Sequence, residues 1–295
     1  MRRLCLQRWL LVALLALGGA GAPATAFAHG DLHDQIAALT ERMKSVPAGS
    51  IKLAVLYLHR GELHRLHGEF KEAEADFDTA AKLDPERKQD KLRDLDLARG
   101  RLYLDWGKPT QAKEALDRYV ARHGDHPAGL ISLAQALVKL GWGIEAVAHL
   151  DRAIAKHPQP EPDHFIGRAE ILEKLGAKHL DRAVVGLDEG IRRLGPVVTL
   201  EAKAIDLEIK LKRWSSALRR VDLLHDGQPR KDIWLARKAE ILDLAGQPQR
   251  AAQARRKALA AHDKLPPTVR EQKLSVDLRK QLIAALEAAP ASKHP

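Results

Sequence analysis

Fourteen histidines stand in this 295-residue chain, and three groups of them are close enough in sequence to raise the question of a metal site. The stretch YLHRGELHRLHGEF (57–70) holds His59, His64 and His67 within nine residues. HGDH (123–126) sets two imidazoles around an aspartate, and HGDLH (29–33) follows directly on Ala26-Phe27-Ala28. Imidazole and amine nitrogens suit Cu²⁺. A chain cut after Ala28 would offer copper the His29 α-amine and ring, with the His33 ring as a third nitrogen. The plainer reading of that segment is a polar lead-in with Asp31 capping the first helix. In the longer stretch His64 and His67 are three apart and share a helical face. His59 lies five before His64, about 140° round the axis, so the three do not converge on one ion from a regular helix.

Other chemistry is harder to place. The sequence has no G-x-S-x-G, no phosphate loop, no H-E-x-x-H and no paired-cysteine zinc pattern. Its carboxylates sit in mixed-charge runs such as KEAEADFD (71–78), which read as solvated helix faces with ion pairs a turn apart. No catalytic residue is assigned, and the expectation is a protein that is not an enzyme and needs no cofactor, copper at His29 and His33 being the alternative.

The first residues are expected to address the chain rather than to fold. MRRLCLQR supplies Arg2, Arg3 and Arg8, WLLVALLAL a short apolar run, and Ala26-Phe27-Ala28 a small-residue cleavage signal. The run is far shorter than the roughly 20 residues that span a bilayer. Residues 1–28 are therefore expected to be a cleaved signal peptide, leaving a chain that does not span the membrane. Cleavage would lower the formal net charge from +10 to +7 and remove Cys5, the only cysteine. A chain without cysteine suits an oxidising compartment, and the Ala, Arg and Leu content points to a bacterial periplasm.

Aromatic residues are 4% of the chain, and the apolar content is mostly Ala and Leu, which favours close-packed helices over sheets. The elements that must carry the histidines repeat. RGELHRLHGEFKEAEADFDTAAKLDP (60–85) can be laid over RGRLYLDWGKPTQAKEALDRYVA (99–121), matching Gly61 to Gly100, Gly68 to Gly107, Ala73 to Ala112, Phe77 to Leu116 and His64 to Tyr103. The unit at 129–158 keeps Ala134, Gly141, Ala146, Leu150 and Pro158. The one at 165–196 keeps Ala169, Gly176, Ala183, Leu187 and Pro196, with about two extra residues in its middle. The unit at 200–229 has Lys212 where the turn glycine belongs but retains Trp214, Ala217 and Pro229; the last, 234–267, restores Ala239, Gly246, Ala251 and Ala258. Small residues at Gly61, Gly100, Ala134, Ala169 and Ala239 let paired helices approach. Gly68, Gly107, Gly141, Gly176 and Gly246 supply the positive φ that ends a first helix. Pro109 and Pro248 suit the start of a second helix, and Pro85, Pro158, Pro196 and Pro229 stop one.

This pattern, over residues 51–267, resembles the tetratricopeptide repeat, a 34-residue helix–turn–helix unit. The resemblance implies an all-α fold: an α-solenoid of about six hairpins in a right-handed superhelix with a concave groove. A hairpin cannot bury its apolar face alone, so neighbours must stack. Amphipathic segments at 29–50 and 268–289 are expected to be capping helices, and 290–295 a disordered tail. In register, the opening histidine stretch becomes the first helix of the first hairpin, with His64 in a packing position and His59 and His67 pointing elsewhere.

The resemblance also implies which residues line the groove: those one and four places after the small residue of each first helix. These are Glu62 and Arg65, Arg101 and Leu104, Gln135 and Val138, Glu170 and Glu173, then Glu240 and Asp243; the fifth unit would offer Asp206 and Ile209. The lysine, asparagine and arginine set with which the family grips C-terminal carboxylates is not kept here, so a generic carboxylate clamp is not expected. The groove reads as basic to neutral in the second and third units and acidic further on. The function this implies is an exported, non-catalytic scaffold that binds a protein or peptide. The positive charge alone would also admit an anionic polymer, but basic residues interleaved with stacking aromatics are missing, so nucleic acid is not an expected partner.

Overall fold

The computed structural model of the chain describes residues 24–86 and 90–288. The expected leader through residue 23 and the tail 290–295 lie outside the described residues. Among those described there are fifteen α-helices and no strand. The chain forms two compact units that meet in sequence between Pro160 and Glu161. The repeat pattern predicts one unbroken array; the division falls where Pro158, Pro160 and Pro162 crowd the connection and deny it helical backbone.

The N-terminal unit begins with α1 (Ala24–Lys44) and continues as three hairpins: α2 (Ile51–His67) with α3 (Phe70–Leu83), α4 (Leu95–Asp105) with α5 (Pro109–His123), and α6 (Pro127–Lys139) with α7 (Gly143–Lys156). α1 packs on α2, and α4 contacts both α2 and α6. The helix starts at Ala24, not near residue 29, so Asp31 lies inside α1 and does not cap it. The alanine-rich run Ala24–Ala28 has the propensity to extend it backwards.

The C-terminal unit repeats the plan with α8 (Pro162–Lys174) and α9 (Leu180–Leu194), α10 (Val198–Lys210) and α11 (Trp214–Gly227), and α12 (Lys231–Leu244) and α13 (Pro248–Asp263). The two extra residues of the fourth repeat appear as a 3-10 turn, Ala177–His179. The segment read as one capping helix is two: α14 (Pro267–Arg270) and α15 (Lys273–Glu287), with Gln272 extended between them. Val269 and Leu274 are five apart, a spacing that one helical face cannot hold, whereas Leu278 and Leu282 keep the helical interval and are buried against Ala258 of α13.

One alanine per second helix accounts for most of the internal regularity. Ala73, Ala112, Ala146, Ala183, Ala217 and Ala251 are all 0% exposed, a column where nothing larger than a methyl fits between partner helices. The close-approach glycines act the same way from the first helix. A Cβ on Gly61 would lie 2.6 Å from Cε1 of Phe77, and one on Gly100 would strike Leu116; Phe77 and Leu116 are the pair that the repeats align. Phe77 sits with Ala54, Leu58, Leu92, Leu95 and Leu102 in the core of the first two hairpins.

Five of the six hairpin turns share one backbone, the exception being Gly176, which leads into the 3-10 turn. In those five, the residue at positive φ donates to the carbonyl three before it, and the next amide to the carbonyl five before it. Gly68 and Glu69 reach Arg65 and His64 at 3.1 and 2.9 Å, and Gly246 and Gln247 reach Asp243 and Leu242 at 2.9 and 2.8 Å. Lys212 fills this position in the fifth hairpin with φ 57°, the only non-glycine at positive φ among the described residues.

Candidate groove and the fate of the histidines

Each first helix presents its predicted face one and four residues past the close-packing position, but the residues there differ in how far they are already committed. In the N-terminal unit Arg65 bonds Glu62 through Nε and Nη2 at 3.0 and 2.9 Å and Asp105 of α4 through Nη1 at 2.5 Å. Leu104, expected in the groove, is buried and belongs to packing. Arg101 and Gln135 are exposed, Val138 is 36% exposed, and none of the three is held in an ion pair among the described residues.

In the C-terminal unit the same face is closed by charge. Glu173 of α8 receives Lys203 of α10 at 2.8 Å on one oxygen and Lys210 on the other, and Lys203 lies 3.8 Å from Glu170. Asp206 pairs with Arg237 of α12, which also holds Glu240 at 2.5 Å, and Asp243 pairs with Arg255 of α13. This corrects the expectation of an acidic groove: every carboxylate predicted there meets a cation, in most cases from the following hairpin. Burial raises the Glu173 carboxyl, but the two lysines outweigh it and leave it below its ordinary value. At Asp206 burial wins over Arg237, and the carboxyl sits above its ordinary value. A cavity of ≈ 460 Å³ lies against Glu170, Glu173, Lys174 and Lys203.

The partners Lys203, Lys210, Arg237 and Asp105 were not among the sequence candidates, although the frame held the signal. They stand two before or five after the close-packing position, one turn either side of the stripe that was read, and so on the same helical face.

The histidines mostly serve the hairpins. His64 Nδ1 lies 2.5 Å from Glu69 Oε2, and His67 Nδ1 is 3.1 Å from Glu69 Oε1. The two therefore do meet, on a carboxylate at the turn rather than on an ion. Their bonds to it, offsetting a small effect of burial, lower the Glu69 carboxyl. His64 Nε2 also stands 3.9 Å from Asp76, which takes Arg60 through two bonds of 2.8 and 2.7 Å. His59 lines a separate cavity of ≈ 540 Å³ between α1 and α2, with Leu39, Arg42 and Glu62. In HGDH, His123 stacks on Tyr119 with ring centres 4.3 Å apart, His126 meets the Tyr119 hydroxyl at 3.1 Å, and Asp125 pairs with Arg152. That cluster clamps a buried tyrosine and gathers no ligand set. His33 is exposed on α1 with its ring centre 6.4 Å from that of His67; the side chain of His29 lies outside the described residues. No group of three metal-ligating side chains converges among the described residues. No helix among them is long and apolar enough to cross a membrane.

Two buried charge clusters hold the C-terminal unit. Arg220 of α11 bonds Asp188, Glu201 and Glu208 at 2.5, 2.7 and 3.1 Å. Asp232, fully buried at the start of α12, takes both Nε and Nη2 of Arg230 at 2.9 Å and lies 3.3 Å from Nδ1 of His262 at the end of α13. Burial raises the Asp232 carboxyl, but Arg230, His262 and the Ile233 amide together bring it below its ordinary value.

Comparison with known proteins agrees with this architecture. Tetratricopeptide-repeat family models match residues 97–159 and 54–87. No curated protein matches the chain. Among solved structures, the C-terminal part of a TPR repeat-containing protein from Cytophaga hutchinsonii is similar with a TM-score of 0.61 at 12% identity, covering 86% of this chain and 96% of that one. A tetratricopeptide repeat protein from Parabacteroides merdae gives 0.52 at 15% identity, covering 80% and 93%. YrrB, described as a TPR protein with an unusual peptide-binding site, gives 0.50 at 19% identity, covering 65% and 95%. At these identities the likeness is one of fold.

Proposed function

The chain belongs to the tetratricopeptide-repeat family, and from that premise we propose that it is an exported, non-catalytic scaffold that holds a protein or peptide on the first-helix face of its N-terminal unit. The observation that carries this is the contrast between the two units. Arg101 of α4 and its equivalent Gln135 of α6, with Val138 one turn further along α6, are exposed and outside any ion pair among the described residues; Glu62 and Arg65 of α2 pair with each other, and the corresponding acids of the C-terminal unit are each paired within the chain. An arginine, an amide and an aliphatic side chain in a row suit an extended peptide: a carboxylate or carbonyl for Arg101, backbone for Gln135 and an apolar residue for Val138. That YrrB is a TPR protein with a peptide-binding site supports a ligand of this class. Export rests on the Arg2-Arg3 start, the WLLVALLAL run and Ala26-Phe27-Ala28, with the periplasm of a bacterium as the proposed destination.

A photo-crosslinking amino acid placed at Gln135 in cells tests the reading, with Glu114 on α5 as the off-groove control. A discrete adduct is expected from position 135, absent from 114 and lost when Arg101→Glu is added. Adducts of equal yield from both positions, or one indifferent to Arg101→Glu, would remove the groove from the proposal. Sequencing the N-terminus of the protein recovered from the cell envelope tests export; an intact Met1 start would refute cleavage after Ala28.

A further inference from the structure

The positive charge of this chain is unevenly placed. Residues 31–160 hold twenty Lys and Arg against twenty Asp and Glu, whereas residues 161–288 hold twenty-five against nineteen. Most of that excess lies in the last helices: residues 248–288 carry nine bases and four acids. On α13 and at its C-cap, Arg250, Lys257 and Lys264 recur every seven residues, and the helical backbone dihedrals of Lys264 keep the three on one face about 10 Å apart. All three are exposed, as is Arg256 beside them. On α15, which packs against α13 through Leu278 and Leu282, Lys273 and Lys280 repeat the same interval and are also exposed. Lys257, Lys264, Lys273, Lys280 and Arg256 have no acidic partner within ion-pair distance among the described residues. Of the four acids in this segment, Asp263 is engaged by Arg279 at 3.5 Å, and Glu271, Asp277 and Glu287 leave the bases in excess by more than two to one.

The groove face of the same unit shows what this chain does with cations it uses internally: Lys203, Lys210, Arg237 and Arg255 are each set against a carboxylate. The terminal row is left open. We infer that the exposed face of α13 and α15 is a docking surface for the anionic phospholipid headgroups of a membrane. Four of the six cations are lysines, point charges that suit a field of headgroups more than the bidentate grip of a defined acidic motif. Leu274, 47% exposed beside Lys273, is an apolar side chain flanked by a cation, an arrangement that suits the boundary between headgroups and acyl chains and that a soluble polyanion would leave unused. The face carries no exposed aromatic on which bases could stack. Attachment here would be peripheral and reversible, and it adds to the peptide-binding reading without depending on it.

Sedimentation of the full chain with vesicles tests this. Neutral phosphatidylcholine vesicles give the baseline, which includes any contribution of the apolar N-terminal run. Vesicles in which a third of the lipid is phosphatidylglycerol give the anionic increment. Reversal at Lys257→Glu, Lys264→Glu and Lys280→Glu is expected to lower that increment about a hundredfold or more, since each cation near such a surface contributes roughly fivefold; high salt should lower it likewise. Replacing the same three by Gln guards against misfolding and should give an intermediate loss. Three exposed lysines of the N-terminal unit, Lys52, Lys82 and Lys139, changed to Glu make the same alteration in net charge and should leave the increment within about threefold. Equal losses from both triple variants, or no preference of the wild-type chain for anionic vesicles at low salt, overturns the inference. Displacement from the vesicles by polyglutamate at matched charge assigns the face to an acidic polypeptide and overturns it equally.

Discussion

Replacing Lys212 by glycine should make this protein more stable, because the lysine occupies a conformation built for glycine. Five other hairpin turns place Gly68, Gly107, Gly141, Gly176 and Gly246 at positive φ; the fifth hairpin places Lys212 there with φ 57°. Its turn is otherwise intact. The Lys212 amide donates to Ile209 at 3.0 Å and the Arg213 amide to Glu208 at 2.8 Å, nearly the lengths found around Gly246. The side chain is exposed and has no ion-pair partner among the described residues, so its loss removes only the crowding of Cβ against its own backbone. Holding an L-residue in the left-handed region costs about 1–2 kcal/mol. Glycine returns roughly 0.5–1 kcal/mol of that through the greater freedom of its unfolded chain. The net expectation is a gain of about 0.5–1 kcal/mol, or a melting midpoint higher by about 2 °C. Urea unfolding followed by circular dichroism, with the fluorescence of Trp214 and Trp234 reporting on the C-terminal unit, measures it. Lys212→Ala is the decisive control, because it removes the long side chain and keeps Cβ; it should stay within about 0.5 kcal/mol of wild type. If Lys212→Gly is no more stable than Lys212→Ala, the strain ascribed to this turn does not exist.

Two further substitutions probe the packing and the buried charges. Gly61→Ala sets a methyl 2.6 Å from Phe77 and should cost about 1–3 kcal/mol, read as a lower urea midpoint, while the same change at exposed Gly227, whose added Cβ meets nothing within 4 Å, should not. Asp232→Asn leaves Arg230 and buried His262 without their anion and should cost about 3 kcal/mol at neutral pH. Because the Asp232 carboxyl lies below its ordinary value, its contribution is present above the usual carboxylate range and is lost as pH falls through and below it. The gap between wild type and Asp232→Asn in thermal midpoint should therefore close on acidification, and a constant gap would remove the ion pair from the explanation.

How much of this was legible in the sequence follows from how local each cause is. Turn glycines, helix-starting prolines and the alanine column act through a residue's own backbone or a single facing helix, so they could be placed by register alone, and even the departure at Lys212 showed as a gap in the pattern. Leu104 could not be told from Val138, since both stand at the same repeat position and only the neighbouring hairpins bury one and expose the other. The histidines misled in a related way. His64 and His67 were correctly put on one face, but the residue that draws them together, Glu69, lies beyond the helix end, where helical geometry no longer applies. The break before α15 shows in the sequence only as the five-residue step from Val269 to Leu274, which the regular period of the later leucines masks.

The packing scheme has a consequence for how such a chain can acquire a ligand. The two helices of a hairpin are held together by alanines and by glycines pressed against Phe77 and Leu116, all on the faces turned inward. Arg101, Gln135 and Val138 point away from those contacts, so their effects on stability should be small and additive with core changes. In the C-terminal unit Glu170, Glu173 and Asp206, on the same face, are tied to the following hairpin. There a substitution such as Glu173→Ala would strip its partner from Lys203, which is only 9% exposed, and would disturb the fold as well as the surface. Arg101, Gln135 and Val138 are thus positions where binding can change without cost to folding, which Arg65, held by Glu62 and by Asp105 of the next hairpin, is not. Arg101→Glu is accordingly expected to abolish capture at position 135 while leaving the urea midpoint within about 0.5 kcal/mol of wild type; a midpoint that fell with it would show that Arg101 serves the fold and not a partner.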